Sequence, residues 1–503
     1  MMKALDRFLD GTTMYRLVAY VLVVQLAAAL VFSLIGLLPH SAIDIGVSLM
    51  VVAVAALAGN WLFARVFATP ANSESSLITV LIVTLIMAPV APTDVRGLGA
   101  LACASIWAIA SKFILATGGK HVFNPAALGV ALTAVLLNAP ATWWVAGNLT
   151  LMPAVLIGGF LIVRKLKRAD STLLFIAVNL ATIILSTAPG HYATALRETL
   201  FSSPIFFFAT IMVTEPLTAP TRRWPRLVFA AIVGFLAAPS IHLAAFYFTP
   251  ETALLVGNAF AFAVNPKRRL ALTLERIEQA AADSYDFIFA APRSLAFDAG
   301  QYLEWTLPVP RGDSRGNRRY FTIASAPGEP EVRLGVKFYR EPSAFKRALA
   351  GMKPGDTVHA GQLAGEFTLP RDQDEKLAFL AGGIGITPFR SMLRHMVDER
   401  ETRDTVVLYA VERHDDIAYR DLLDEADRTL GVQTTYVVAR GARAGEHPGY
   451  IDAALIQRAI PDFHERTFYV SGPPAMVDAV RKTLRLLGVA RRRIKVDFFP
   501  GLA

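Results

Sequence analysis

The pattern of hydrophobic and polar positions changes near residue 265 of the chain. Between about Tyr15 and Val264, long runs of Leu, Ala, Val, Ile and Phe carry few charges, whereas from Asn265 onward charged and apolar residues alternate. Long apolar runs are typical of helices that cross a bilayer, and short alternating runs are typical of a water-soluble domain. The pattern therefore predicts a membrane domain at residues 1–266, followed by a soluble part.

Ten apolar segments predict a polytopic α-helical membrane domain of about ten spans. They lie at residues 16–38, 42–67, 76–91, 98–117, 124–140, 143–163, 172–189, 200–218, 226–244 and 249–264. Several are shorter than the ~20 residues of a full span, as is common where a membrane protein lines a site. The basic residues beside them fall on one side of a ten-span arrangement: Lys3, Arg7, Arg16, Arg164, Lys165, Lys167, Arg168, Arg222, Arg223, Arg226, Lys267, Arg268 and Arg269.

This charge distribution predicts the orientation of the domain. By the positive-inside rule, the basic side is cytoplasmic. We therefore expect a multi-pass protein of a bacterial inner membrane, with both termini and the soluble part in the cytoplasm. The first apolar run is long and lacks a convincing cleavage site, so we interpret it as a membrane helix and not as a signal peptide.

Net charge and cysteine content exclude other classes of protein. The 503 residues carry a formal charge of +9, but the positive-inside rule accounts for many of the basic residues, so we predict no nucleic-acid partner. The single cysteine, Cys103, lies in an apolar segment. It allows neither a disulfide within one chain nor a CxxC metal motif, and we predict no metal site.

Residues 267–372 predict a small antiparallel β-barrel, because short alternating runs are separated by turns that contain Gly or Pro. Pro342 precedes a predicted helix, Ser343–Ala350, in which Ser343 is well placed as the N-cap. The alternating runs are Leu270–Leu274, Tyr285–Phe289, Tyr302–Leu307 and Val332–Phe338.

Residues 373–503 predict a parallel α/β domain with ligand loops at the strand ends. The buried strand Leu377–Ala381 runs into the glycine-rich turn Gly382–Pro388 and a helix, Phe389–Asp398. A second turn, Ser471–Pro474, precedes another helix, Ala475–Leu487. The other predicted strands are Thr405–Ala410, Gln433–Ala439 and Arg466–Val470.

One stretch, Arg319-Tyr320-Phe321-Thr322, offers a cation, aromatic rings and a hydroxyl group within four residues. On a strand, Arg319 and Phe321 share one face, and Tyr320 and Thr322 share the other. A guanidinium group can bind a pyrophosphate bidentately, and an aromatic ring can stack on a flat heterocycle. The stretch therefore suits a dinucleotide that carries a redox-active ring.

Together, the motifs of residues 268–503 resemble the ferredoxin–NADP⁺ reductase superfamily, which joins an FAD-binding domain of the FR type to an NAD-binding domain. Its R-x-[YF]-[ST] motif matches Arg319–Thr322. The resemblance implies that Arg319 holds a flavin phosphate, that Phe321 stacks on the isoalloxazine ring and that Thr322 bonds to its redox-active nitrogen. Tyr320 belongs to the same cofactor-binding stretch, and Ser343 takes the place of the serine in the second flavin motif.

The resemblance also assigns NAD(P)H binding to the turns of the α/β domain, and it implies hydride transfer from NAD(P)H to FAD. The closing stretch Asp497–Gly501 resembles the family's ending, in which an aromatic residue lies beside the flavin. The implied nucleotide-binding residues are Gly382, Gly383, Gly385, Thr387, Pro388, Gly472 and Pro473. The implied catalytic residues are Phe321, Thr322, Thr387, Ser471, which replaces the usual cysteine, and Phe499.

Polar residues within the apolar half are candidates for an acceptor site. They are Gly118, Gly119 and Lys120, then Asn124 in Phe123-Asn124-Pro125-Ala126-Ala127, and Glu215 in Thr214–Pro220. Each alone fits a loop or a helix cap equally well. The chain over about residues 16–266 resembles the homologous membrane subunits of two respiratory complexes: the D-type subunit of the Rnf complex and the B-type subunit of the Na⁺-translocating NADH:quinone oxidoreductase. The stretches that carry the resemblance are Ser76–Thr79 through Met87–Pro89, Gly118–Gly129 and Thr214–Pro220.

That second resemblance implies a ten-helix fold that holds flavin, together with further electron-transfer subunits. The family's insert with the covalent FMN is missing, because only a short connector separates Leu137 from Trp143. We therefore expect non-covalent FMN or riboflavin, or a quinone, as the membrane electron acceptor. Haem is not expected, because no segment carries two of the histidines His40, His121, His191 and His242 at stacking distance.

Three functions remain open at this point. The first is a membrane NAD(P)H:acceptor oxidoreductase, the second a redox-driven Na⁺ or H⁺ pump, and the third a membrane-anchored reductase that serves a cytoplasmic electron-carrier protein. Ten spans exceed what an anchor requires, which disfavours the third function. A pump would need a chain of buried Asp and Glu residues, and the sequence shows no such chain, only Glu215 and Lys112 near segment ends. Both observations favour the first function. Arg413, Arg440 and Arg443 lie near strand ends but do not decide between NADH and NADPH.

Overall fold

The computed structural model describes residue 9 and residues 12–67, 73–117, 120–264, 269–290, 295–309 and 317–497. The chain divides into two compact units, Met1–Arg268 and Arg269–Ala503. We call them the apolar unit and the sheet unit.

The apolar unit consists mainly of α-helices. They are Met14–Leu34, Ala42–Val66, Ser73–Ile86, Val95–Ile114, Pro125–Leu137, Met152–Leu166, Ala169–Ser186, Tyr192–Ser202, Ile205–Phe207, Arg223–Leu236 and Pro250–Val264, with a π-helical turn at Phe208–Met212. Its short hairpins pair β1 (Ala116–Thr117) with β2 (Lys120–His121), and β3 (His242–Leu243) with β4 (Phe246–Tyr247).

Within the part of the chain that the structure describes, four helices are long and apolar enough to cross a membrane. They are Met14–Leu34, Ala42–Val66, Val95–Ile114 and Ala169–Ser186. Other apolar helices, such as Pro125–Leu137 and Pro250–Val264, are shorter. Large apolar side chains, among them Leu185 and Val95, are exposed on the surface. These features support membrane association of the apolar unit.

The predicted segments at residues 143–163 and 200–218 differ from the helices observed. In the first, the helix begins only at Met152, with a proline in its first turn, and the residues before it include Trp143, whose backbone is left-handed (φ 51°) and whose N–H donates to Ile86 O at 2.8 Å. In the second, the helix Tyr192–Ser202 ends, and helical structure resumes after Pro204, with the π-helical turn at Phe208–Met212. Proline ends a helix, because it lacks an N–H group and clashes with the preceding turn.

The first lobe of the sheet unit is a six-stranded antiparallel sheet, which we call the antiparallel lobe. Its strands are β5 (Leu270–Ala281), β6 (Ser284–Ala290), β7 (Tyr302–Thr306), β8 (Arg318–Thr322), β9 (Glu331–Lys337) and β10 (Thr357–Ala364). Their order in space is β8-β7-β10-β5-β6-β9, so β8 and β9 are the edges. The predicted helix begins at Ala344, with Ser343 as its N-cap, which confirms that cap.

The second lobe is a six-stranded parallel sheet, which we call the parallel lobe. Its strands are β11 (Leu377–Gly382), β12 (Thr405–Arg413), β13 (Gln433–Arg440), β14 (His447–Pro448), β15 (Thr467–Ser471) and β16 (Ile494–Val496), in the order β14-β13-β12-β11-β15-β16. Its helices are Thr387–Glu399, Arg420–Leu430, Ala453–Ala459 and Pro474–Leu486. The central strand β11 is buried throughout, as its uninterrupted apolar sequence predicts.

Aromatic packing fixes the helix Thr387–Glu399 against the sheet. Phe379 of β11 is fully buried. Its ring stacks on that of Phe389 at 4.8 Å between centroids and meets the edge of Tyr469 at 5.6 Å. Because β11 and this helix flank the glycine-rich turn, the stack also holds that turn in place.

We expect Phe379→Ala to lower the free energy of unfolding of the sheet unit by about 3–5 kcal/mol, because the lost ring leaves a cavity. Urea unfolding followed by near-ultraviolet circular dichroism measures the effect. The matched control is Leu486→Ala, at a side chain that is 79% exposed, where a change within about 0.5 kcal/mol is expected. Equal effects of the two substitutions would contradict the packing described here.

Candidate functional site

Strand β8 brings Arg319 and Phe321 to one face, as the alternation predicts. Both side chains lie against Phe345, which belongs to the helix Ala344–Ala350. The Arg319 guanidinium carbon is 5.3 Å from the centre of the Phe345 ring, and the Phe321 ring is 5.9 Å from it. Arg319 is only 2% exposed, so its positive charge sits in an aromatic setting at the edge of the sheet.

Tyr320 and Thr322 point to the other face of β8. The Tyr320 hydroxyl donates to Glu304 Oε2 at 2.8 Å, and its ring meets the edge of Tyr302 at 5.6 Å. Tyr302 also pairs with Thr322 across the ladder. The structure therefore does not bring Tyr320 beside Arg319 and Phe321, and a role of Tyr320 in cofactor binding stays a prediction.

The residues around β8 match the chemistry of a flavin dinucleotide. Ser343 caps the helix that carries Phe345, and its Oγ accepts a hydrogen bond from Lys346 N–H at 3.3 Å. One edge of the antiparallel lobe thus holds three features. They are the guanidinium of Arg319, which can bind a phosphate, the partly buried ring of Phe321, which can stack on a heterocycle, and the helix start at Ser343. This donor set fits FAD.

The two glycine turns meet at the carboxyl edge of the parallel sheet. They come together because β11 and β15 are parallel neighbours, with Ala381 opposite Ser471. A Cβ atom added at Gly385 would lie 2.6 Å from both Cα and N of Gly472. The turns therefore pack backbone against backbone, which leaves amide groups at the strand ends, where parallel α/β sheets bind nucleotides.

The predicted nucleotide-site residues occupy defined places in these turns. Gly383 has a left-handed backbone (φ 52°) with nothing within 4 Å of an added Cβ atom. Thr387 begins the helix Thr387–Glu399 and is 7% exposed, and its hydroxyl donates to Ile384 O at 3.2 Å. Ser471 Oγ donates to Asp497 Oδ2 at 3.3 Å. Phe499 lies outside the described residues.

Residues without a functional signal in the sequence join the two lobes. Arg390 is bonded to both carboxylate oxygens of Glu329, and its Nη1 donates to Ala324 O at 3.0 Å. Ser391 Oγ donates to Ser325 O at 2.7 Å. Ala324 and Ser325 follow β8 closely, so the helix after the nucleotide turn holds the loop after the flavin motif. Local sequence pattern cannot reveal such contacts, because their partners are remote in sequence.

In the apolar unit, Asn124 and Glu215 are in direct contact. Asn124 Nδ2 donates to Glu215 Oε2 at 2.7 Å, and Thr218 Oγ1 donates to the same oxygen at 2.7 Å. His121 Nε2 is 3.6 Å from Glu215 Oε1. Asn258 closes the cluster, because its Oδ1 accepts from Asn124 N–H at 2.8 Å.

This polar cluster borders cavities in the apolar unit. Asn124 and Glu215 line a cavity whose other walls include Val18, Ile82 and Ile211. Lys120 lines a second cavity with His121 and Thr218, whereas Gly118 and Gly119 lie outside the described residues. A polar wall opposite apolar residues is typical of small-molecule sites.

A buried acidic residue also escapes prediction from the sequence. Glu251, near the start of the helix Pro250–Val264, is 3% exposed, and its Oε1 accepts a hydrogen bond from Trp143 Nε1 at 2.9 Å. The apolar pattern indicates only Glu215 and Lys112, and it carries no signal for the contact between Glu251 and Trp143, which are 108 residues apart. Lys112 Nζ donates to Ser75 O at 2.9 Å, and Ser75 lines the first cavity.

Comparisons with known proteins concern the sheet unit. A family model described as "Oxidoreductase NAD-binding domain" matches residues 379–482. Ferredoxin–NADP reductase B of Sorangium cellulosum is 31% identical over 219 residues, which cover 41% of this chain and 86% of that protein.

Two further relatives match over a similar length. NADH oxidoreductase HCR of Escherichia coli is 28% identical over 233 residues, or 46% of this chain and 69% of that protein. The flavohemoprotein of Bacillus subtilis is 28% identical over 209 residues, or 40% of this chain and 51% of that protein. The chain thus spans about half the length of the flavohemoproteins that it matches.

We expect Gly385→Ala to weaken binding of a nicotinamide nucleotide by about tenfold or more, ~1.4 kcal/mol, because the new Cβ forces the two turns apart. Fluorescence titration of the purified protein with NADH and NADPH measures the affinity, and the flavin content should not change. Gly328→Ala is the control, since nothing lies within 4 Å of a Cβ added there. Unchanged affinity in Gly385→Ala would show that the turns do not form the nucleotide site.

Proposed function

Because the chain belongs, through its sheet unit, to the ferredoxin–NADP reductase family, we propose that it is an NAD(P)H-dependent flavoprotein oxidoreductase that delivers electrons to an acceptor in its apolar unit. The observation that carries the proposal is the meeting of the two glycine turns, Gly382–Pro388 and Ser471–Pro473, in the unit that also holds Arg319 and Phe321. One unit thus offers a place for each of two cofactors.

The residues of β8 bind and orient the flavin in this proposal. Arg319 neutralises the pyrophosphate, Phe321 supports the isoalloxazine ring and Thr322 bonds to that ring. Ser343 fixes the start of the neighbouring helix, and the family resemblance assigns Phe499 a place beside the ring. When bound, FAD would accept a hydride from NAD(P)H and release its electrons one at a time.

The residues of the parallel lobe hold the nicotinamide nucleotide. The glycines of both turns allow its phosphates to approach the backbone, while Thr387 and Ser471 orient the nicotinamide. Their task is alignment, because a hydride moves only between rings at near-attack distance. NADH and NADPH remain equal candidates.

The proposed membrane acceptor is non-covalent FMN or riboflavin, or a quinone, beside Asn124 and Glu215. The cavity next to these residues and the resemblance to the membrane subunits of the Rnf complex and the Na⁺-translocating oxidoreductase support this assignment. We propose, further, that the apolar unit spans a bacterial inner membrane about ten times, that the antiparallel lobe is a barrel, and that the sheet unit faces the cytoplasm. Further electron-transfer subunits are candidate partners.

One observation favours a second function, a redox-driven ion pump. Glu251 is a buried acidic residue of the apolar unit, on the helix Pro250–Val264 that also contributes Asn258 to the cluster around Glu215. Buried ionisable groups in membrane segments mark ion and proton paths. A Na⁺ or H⁺ gradient that forms in proteoliposomes during NAD(P)H oxidation, and collapses in Glu251→Gln, would establish the pump.

We expect the purified protein to release about one FAD per chain on acid treatment, and Arg319→Ala to lose most of it, because a charge-assisted bond to phosphate disappears. Absorption of the released flavin gives the stoichiometry. Arg276→Ala, at an exposed arginine of the same lobe, is the control. Full flavin content in Arg319→Ala would contradict the assigned site, and a second flavin per chain would support a flavin acceptor in the membrane.

We expect Glu215→Gln to abolish quinone reduction in liposomes while NAD(P)H oxidation by ferricyanide continues. Glutamine can keep a carbonyl oxygen for the donors Asn124 and Thr218, but it removes the negative charge that His121 Nε2 faces at 3.6 Å. Glu198→Gln, on an exposed part of the helix Tyr192–Ser202, is the matched control. If both activities persist, the acceptor lies elsewhere, and a membrane-anchored reductase that serves a cytoplasmic carrier becomes the better account.

A further inference from the structure

The carboxylate of Asp286 joins the antiparallel lobe to the parallel lobe. Asp286 lies on β6 and is 1% exposed. Its Oδ2 accepts a hydrogen bond from Arg333 Nη1 at 2.7 Å, and its Oδ1 accepts one from Tyr419 Oη at 2.6 Å. Arg333 lies on the neighbouring strand β9, whereas Tyr419 directly precedes the helix Arg420–Leu430 of the parallel lobe. Each lobe therefore binds one oxygen of the same carboxylate.

Tyr419 is held in an unusual conformation for this contact. Its backbone is left-handed, with φ at 56°, a region that bulky residues rarely occupy and that persists only where the surroundings stabilise it. Burial, and then the charge of Asp286, raise the pKa of the Tyr419 hydroxyl well above its usual value. The hydroxyl consequently stays protonated at physiological pH and remains a donor to Asp286.

Gly335 allows Thr387, at the end of the glycine-rich turn, to lie close to Asp286 and Tyr419. It lies on β9 and pairs with Asp286 across the ladder. A Cβ atom added at Gly335 would lie 2.7 Å from Thr387 Cγ2, 2.7 Å from Tyr419 Oη and 3.1 Å from Asp286 Oδ1. A glycine inside a strand often marks such a close approach. Thr387 therefore rests on the antiparallel lobe directly beside the bond between Tyr419 and Asp286.

Strand β9 also forms hydrogen bonds with the residues that follow the predicted flavin motif, Arg319–Thr322. Arg333 N–H donates to Ser325 Oγ at 3.0 Å, and Ala324 N–H donates to Arg333 O at 2.9 Å. Ala324 and Ser325 follow Thr322 after a single residue, Ile323. A short series of contacts thus runs from Thr387 through Gly335, Asp286 and Arg333 to the end of β8.

We propose that Tyr419 is a positioning residue for hydride transfer, and that its hydrogen bond to Asp286 fixes the separation between Thr387 of the nucleotide site and Thr322 of the flavin site. This inference rests on the proposed function. Tyr419 touches neither reacting ring in this role and exchanges no proton. It prevents the two lobes from sliding against each other, and a displacement of the rings by about 1 Å can slow a reaction by about a hundredfold.

The test is Tyr419→Phe, which removes only the hydroxyl group, in the flavin-loaded full chain. Anaerobic rapid mixing with NADH and NADPH measures the rate of flavin bleaching and, from its concentration dependence, the dissociation constant. We expect the limiting rate to fall by about tenfold or more, because the rings are misaligned. The dissociation constants and the flavin content should stay near those of the parent protein, because no binding group is lost.

A second readout needs no hydride transfer. In the full chain as purified, hydrogen exchange of peptides from β9 and from the first turn of the helix Thr387–Glu399 should become faster in Tyr419→Phe. Tyr436→Phe is the control, because the Tyr436 hydroxyl bonds to Asp424 at 3.4 Å within the parallel lobe. It should change neither the exchange of these peptides nor the limiting rate.

The outcomes separate this inference from the function on which it rests. If the parent protein bleaches its flavin with NAD(P)H, but Tyr419→Phe does so at the parent rate and shows the parent exchange, the positioning role is wrong. If the parent protein shows no bleaching, the proposed function fails, and the exchange result still tests whether the bond joins the lobes. A rate loss with an equal loss of nucleotide affinity would also overturn the inference, since it would indicate damage to the binding site.

Discussion

The buried carboxylate of Asp286 binds both lobes of the sheet unit, and the arrangement of the candidate site depends on such contacts. Arg390 and Glu329 act in the same way at the loop after β8. Two cofactors can exchange a hydride only when their rings are held in contact, which requires more than a binding site for each. In the proposed function, charge-assisted hydrogen bonds between the lobes supply this constraint, and such bonds are shorter and stronger than neutral ones.

A second constraint is close backbone packing, which glycines allow at two places: between the two glycine-rich turns, and where Thr387 meets β9. Gly385 and Gly472 let two turns pack without side chains between them. Gly335 has no side chain that would clash with Thr387, so Thr387 can pack directly against β9. The apolar unit uses a different solution for its own candidate site. There, Asn124 caps a short helix and bonds to Glu215, so that these two polar side chains have hydrogen-bond partners among apolar helices.

The sequence predicted what depends on local pattern. The alternation of Arg319 and Phe321, the cap at Ser343 and the buried strand Leu377–Ala381 follow from periods and caps that a few residues determine. It did not predict contacts between distant positions: Asp286 and Tyr419 are 133 residues apart, and their pairing depends on how the lobes pack.

Helix boundaries in the apolar unit also deviated from the sequence-based segments. Hydropathy alone did not reveal the left-handed Trp143 or the π-helical turn at Phe208–Met212. The burial of Glu251 has no signal in the sequence for a related reason, because its hydrogen-bond partner Trp143 is remote in sequence. Local composition predicts neither these helix boundaries nor the burial of Glu251, since both depend on tertiary contacts.

The most direct test of the central claim is anaerobic rapid mixing of the full chain in lipid nanodiscs with NAD(P)H, with and without quinone in the lipid. We expect the visible absorption of the oxidised flavin to disappear as NAD(P)H reduces the flavin. The absorption should return, through reoxidation of the flavin, only when a membrane-resident acceptor is present. Absence of bleaching would contradict electron entry through the sheet unit. Bleaching that only a soluble acceptor reverses would contradict electron delivery to the apolar unit.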